Sequence, residues 1–94
     1  MMLQRKLGEN NAQKVLKVFE NNKRQFGFVK VTAESLSQLA DLYSPSSMPY
    51  HGDVFSFRAG TWMIIIVCRT EWVEVTIMNP YDPKECFTAT SLDQ

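Results

Sequence analysis

The seven residues Trp62 to Cys68, Trp-Met-Ile-Ile-Ile-Val-Cys, are the longest apolar run in this 94-residue chain. The run is far short of the roughly 18 to 20 residues a membrane-spanning helix needs, and its β-branched content favours a strand. Successive side chains of a strand point to opposite faces, so Ile64, Ile65, Ile66 and Val67 place apolar groups on both. Such a strand belongs in the centre of a sheet that is covered on each side. Helices are expected on one side, and residues 85–92 or another subunit on the other. Two further apolar stretches flank the run, Val54 to Arg58 and Trp72 to Met78, set off by Ala59-Gly60 and Thr70-Glu71. Short breaks between strands of similar length predict an antiparallel meander.

The helices expected on that sheet lie earlier in the chain. Ala12, Val15, Leu16 and Phe19 fall at i, i+3, i+4 and i+7, which predicts a helix over Ala12 to Lys23 with Asn10 or Asn11 as its N-cap. The competing reading makes Lys14 to Phe19 a strand turned by Asn21-Asn22. Gln25 to Val31, rich in aromatic and β-branched residues, reads as a strand. Thr32 then caps a second helix carrying Leu36, Leu39, Ala40 and Tyr43, which Pro45 stops. Residues 44–53, with Pro45 and Pro49, read as a loop, Asn79 to Pro83 as a turn, and residues 85–94 as a tail or edge strand. The expectation is one α+β domain over residues 1–94, two helices on a meander of three to four antiparallel strands. Its alternative is a small barrel of the OB or cold-shock kind with one helix.

Ten Lys and Arg balance ten Asp and Glu. The balance hides a split. Residues 1–30 hold seven basic and two acidic residues, hence +5, and residues 31–94 hold three basic and eight acidic, hence −5. Neutrality overall argues against wholesale coating of nucleic acid, whereas the split leaves room for a basic patch facing an anionic partner. Two cysteines, no glycosylation sequon and no apolar N-terminal stretch lead to the expectation of a cytoplasmic protein in a reducing compartment that does not engage membranes.

Residues able to carry chemistry are few. A cysteine nucleophile needs a base, and His51 is the one imidazole, so Cys68 or Cys86 with His51, oriented by Asp53, is the sole arrangement of that kind. Against it, Cys68 ends an apolar strand, where cysteine packs as a small hydrophobe, and Cys86 has only Lys84 as a basic neighbour. His51, Asp53 and a cysteine could share a metal, but there is no Cys-x-x-Cys and no second histidine. Gly8, Gly27, Gly52 and Gly60 are scattered and open no phosphate loop. Glu71 and Glu74, three apart, would point to opposite faces of a strand and so cannot act as one acid-base pair. No catalytic residue, metal or cofactor is expected.

Binding is the remaining class, in two forms. Arg24-Gln25-Phe26-Gly27-Phe28-Val29-Lys30-Val31 resembles the RNP1 motif of RNA-recognition and cold-shock domains, with Gln25 in place of the usual glycine and Val31 in place of the final aromatic. The resemblance implies a strand presenting Phe26 and Phe28 as stacking platforms for single-stranded nucleic acid, with Lys23, Arg24 and Lys30 on phosphates. The plainer alternative buries both phenylalanines in the core.

The other form is protein binding. Two tryptophans, three tyrosines, six phenylalanines and five methionines exceed what a core of this size requires. Trp72, Glu74, Thr76 and Met78 would share one strand face, and Trp62, Trp72 and Met78, with Tyr50 and His51 on the proline-bearing loop, form a plausible hot-spot set. Alternatively Trp72 closes the edge of the core. The leading expectation is therefore a small non-enzymatic protein-binding module, such as an inhibitor, immunity or adaptor protein of bacterial or phage origin, with a homodimer as a further option. Solvent exposure of Phe26, Phe28, Trp62 and Trp72 discriminates the readings.

Overall fold

The structure, a computed structural model, describes residues 6–40 and 53–92. Three helices, α1 (Glu9–Asn21), α2 (Lys23–Phe26) and α3 (Ala33–Ser37), precede four strands, β1 (Asp53–Ala59), β2 (Trp62–Cys68), β3 (Val73–Asn79) and β4 (Asp82–Thr90). The strands form one antiparallel sheet in the order β1-β2-β3-β4, with the helices packed on one face. This is a single small α+β domain. The sheet stays open, with β1 and β4 as its edges, and residues 14–19 lie inside α1, so the barrel alternative is set aside.

Each turn explains its neighbours. Ala59 pairs with Trp62 across Gly60-Thr61, and Gly60 takes a positive φ of 66°. A glycine at the first central position suits the turns whose twist matches paired strands. At the other end of β2, Cys68 pairs with Val73 and the Arg69 N–H donates to the Trp72 carbonyl at 2.8 Å. Asn79 pairs with Asp82 across Pro80-Tyr81, where the Asn79 Oδ1 accepts from the Tyr81 N–H at 3.0 Å.

These registers assign the two faces. Phe55 and Phe57 of β1, Trp62, Ile64, Ile66 and Cys68 of β2, Val73, Val75 and Ile77 of β3, and Phe87 and Ala89 of β4 share the helix-facing side. Most of them belong to the core, together with Leu7, Ala12, Val15, Val18, Phe19, Phe26, Val29 and Leu36. The opposite side carries Met63, Ile65 and Val67 beside Glu74, Thr76 and Met78, mostly half-buried. The expected cover from residues 85–92 does not occur. That segment extends the sheet as β4, because Phe87 and Ala89 alternate with Thr88 and Thr90 and so fit a pleat beside β3.

The helical layer departs from expectation in three places. α1 begins after Gly8, at φ 86°, and not after Asn10 or Asn11. Gln25 to Val31 is not a strand: Lys23–Phe26 is a helical turn and residues 27–31 are irregular. The reason is that Phe26 continues the stripe of α1, seven residues after Phe19, and the two rings stack with centroids 5.1 Å apart and planes at 4°. α3 is a short helix of five residues, capped by Thr32 as expected. The Ser35 N–H donates to the Thr32 Oγ1 at 3.0 Å while the Thr32 N–H donates to the Ser35 Oγ at 3.1 Å. Thr32→Ala should therefore cost about 1 kcal/mol in a chemical denaturation midpoint, the usual worth of an N-cap.

The charge split of the sequence becomes a split between layers. Residues 6–40 hold six basic and three acidic residues, a balance of +3, whereas residues 53–92 hold three basic and five acidic, a balance of −2. Among the described residues, no helix is long and apolar enough to cross a membrane.

Candidate binding surface

α1 and α2 bury Phe26 at 1% exposure, with its ring edge-on to Phe87 at 5.5 Å and 62°. Two residues on, Phe28 is half exposed at 50%. The two phenylalanines thus do not share a face. Gly27 lies between them in helical geometry (φ −62°, ψ −20°), its N–H donating to the Lys23 carbonyl at 2.8 Å. A Cβ at this position would fall well inside contact distance of that same carbonyl oxygen. Gly27→Ala should therefore push the 27–31 segment outward and lower stability by about 1 to 3 kcal/mol, the range for overpacking, in a urea titration.

Phe28 does not stand alone. Its ring packs against Trp62 with centroids 5.5 Å apart and planes at 49°, a tilted pair within the favourable range. Trp62 is half-buried at the start of β2, next to the β1–β2 turn. One residue from each expected binding set therefore meets the other. Lys23, Arg24 and Lys30 are exposed in the same stretch of chain.

Beside this pair the irregular segment 27–31 forms a ridge between two clefts. One, of about 410 Å³, is lined by Val29, Lys30 and Val31, by Ser35, Leu36 and Leu39 of the α3 region, and by Phe57, Arg58 and Ala59 of β1. Its walls are mostly aliphatic or aromatic, and Lys30 and Arg58 at its border are both exposed, Arg58 at the strand position that pairs with Met63 and alternates to the face away from the helices. The other, of about 430 Å³, runs along Leu16, Phe19, Glu20 and Lys23 to the same Val29, Lys30 and Val31. Lys30 thus borders both.

The remaining expected site residues scatter. Trp72 sits beyond the far end of β2, under the Arg69 guanidinium at 5.4 Å, and Met78 is half-buried on the face away from the helices. The structure places Trp62 and Trp72 at opposite ends of β2, and Met78 on the sheet face away from Trp62. Tyr50 and His51, and with them the loop reading for 44–52, lie outside the described residues, while Asp53 opens β1. Cys68 is buried on the helix side and Cys86 is exposed on the other, where it pairs in register with Met78. Among the described residues no three His, Cys, Asp or Glu side chains gather as metal ligands. Glu71 lies in the β2–β3 turn and Glu74 in β3.

The sequence by itself marks neither Arg58 nor Leu39 as a site residue, and Val31 only as the last position of the RNP1-like segment. Their one-dimensional signal is absent, because the cleft exists only once α3 and the edge of β1 are brought together. Comparison with known protein families, with curated proteins and with solved structures gives no match.

Proposed function

We propose that this domain is a non-enzymatic protein-binding module whose working surface is Phe28 seated on Trp62, with the adjoining apolar cleft and its cationic rim of Lys30 and Arg58. The observation that carries this reading is the 50% exposure of Phe28 on a tryptophan, beside aliphatic walls. Aromatic anchors next to a pocket, ringed by charge, have the composition of an interface hot spot. The cations favour a partner whose apolar anchor is surrounded by acidic groups. Such a surface suits an inhibitor, immunity or adaptor role.

Single-stranded nucleic acid is the second reading, favoured by the exposure of Phe28 among Lys23, Arg24 and Lys30. It is the weaker, because burial of Phe26 leaves one stacking platform where the resemblance implied two.

Charge reversal tests the choice. A partner isolated on the tagged wild-type domain should associate with Lys30→Glu/Arg58→Glu about tenfold more slowly at low salt, with the difference shrinking as salt rises. Unchanged association would count against the surface. A mixed-sequence single-stranded oligonucleotide should not bind at low salt; tight, steeply salt-dependent binding lost in Phe28→Ala would put the second reading first.

A further inference from the structure

On the face turned away from the helices, the register lays out three rows of four residues, one from each strand. Its middle is apolar, through Met63, Ile65, Val67 and Met78, all half-buried. Val54, at one corner, is the one buried member, and Arg58, Cys86 and Thr88 are exposed. A sheet that is apolar on both faces is one that a second layer covers, and the helices cover only the other side.

The charges within these rows are Arg58 on β1 and Glu74 on β3, of opposite sign. Arg58 pairs with Met63 and Glu74 with Val67, two residues either side of Ile65 on β2, so Ile65 stands midway between the two charges. Cys86 shares the row of Arg58 three strands away, and lies one strand and four residues from Glu74. On ordinary strand spacings both separations are about 14 Å. The line from Ile65 to Cys86 therefore bisects the line from Arg58 to Glu74 at a right angle. A half-turn about it lays Arg58 of each copy on Glu74 of the other, Ile65 on Ile65 and Cys86 on Cys86. Such self-complementarity is what a closed two-fold interface requires, and the resulting steep strand crossing belongs to the orthogonal class of sheet packing.

We propose that two copies of this chain associate back to back through this face, about the axis over Ile65 and Cys86. The apolar middle supplies affinity, and the two Arg58–Glu74 pairs fix the orientation. Four strands seven residues long present a face of about 19 by 20 Å. That is small for an obligate interface, so the dimer is a micromolar one. Phe28 and Trp62 lie on the helix side and stay open, which makes the inference independent of the binding surface above.

Sedimentation equilibrium of the full chain at low salt, from about 1 μM to 1 mM, should show monomer and dimer in exchange. Glu74→Arg and Arg58→Glu should each weaken the dimer at least about tenfold by setting like charges face to face, and the double swap should restore it to within about threefold. Restoration also shows that the single variants fail at the interface and not in folding. Diamide, which takes up the two electrons and two protons released when two thiols join, should give a disulfide-linked dimer that Cys86→Ser abolishes. Moving the thiol to the exposed β1–β2 turn, in Cys86→Ser/Thr61→Cys, should abolish it too. A monomer throughout the concentration range would overturn the proposal. A dimer that the double swap does not restore, or that cross-links through Thr61→Cys and not through Cys86, would place the interface elsewhere and overturn it as well. Phe28→Ala should leave the dimer unchanged, which separates this result from the test of the partner surface; loss of the dimer in that variant would assign self-association to the Phe28 side and overturn the back-to-back arrangement.

Discussion

Phe26→Ala is expected to cost about 3 to 5 kcal/mol of folding stability, the span for emptying a fully buried phenylalanine site. The ring is 1% exposed, stacked face to face on Phe19 and edge-on to Phe87, so it ties α1 and α2 to strand β4. Loss of its surface is the smaller part. Deleting the ring also strips contact from two aromatic neighbours, which cannot close the gap without moving α1 against the sheet. A domain this small has roughly 5 to 10 kcal/mol in hand, so the variant should lose about half of its stability margin. A urea titration measures it, and Phe26→Leu, which keeps most of the volume, should lose distinctly less. A cost under about 1 kcal/mol for Phe26→Ala would mean that α2 is not part of the core.

Phe28→Ala should do the reverse. With half its surface in solvent, Phe28 contributes little to folding beyond its contact with Trp62, and a destabilisation under about 1 kcal/mol is expected. The cost should fall on binding. Burying the exposed half of a phenylalanine removes on the order of 100 Å² of apolar surface from water, worth about 2 to 3 kcal/mol at the usual coefficient. Partner affinity should therefore drop at least about 30-fold, mostly through faster dissociation. Two phenylalanines separated by one glycine thus divide the work, one holding the fold and the other meeting the partner.

That division was only half legible in the sequence. The first three strands could be read because their signals are local: Gly60 can take the positive φ of a tight turn, and β1, β2 and β3 are runs rich in β-branched or aromatic residues, whereas β4 starts at Asp82, inside the stretch read as a turn. The cap at Thr32 is local as well. What failed depends on distant partners. The alternation of Phe26 and Phe28 suggests a strand with period two, yet the spacing of seven from Phe19 to Phe26 is the pattern that prevails, because α1 already presents a buried stripe for Phe26 to extend. Trp62 and Trp72 look equivalent as flanks of the apolar run. They part because the register sets them at opposite ends of β2: Trp62 opens the strand beside the β1–β2 turn, and Trp72 precedes Val73, which pairs with Cys68 at the other end. Arg58, Val31 and Leu39 become neighbours of one cleft only through tertiary packing, and no window of sequence contains them all.

The placement of the two tryptophans supplies the most direct test. Trp72→Phe leaves Trp62 as the sole fluorophore of its kind, beside Phe28, and Trp62→Phe leaves Trp72, under Arg69 at the far end of β2. Iodide quenching of each single-tryptophan protein, with and without the saturating partner, reports which region is covered. The account predicts that the partner shields Trp62 and leaves Trp72 as accessible as before. Shielding of Trp72 with Trp62 unchanged would place the partner away from Phe28 and contradict the proposed surface.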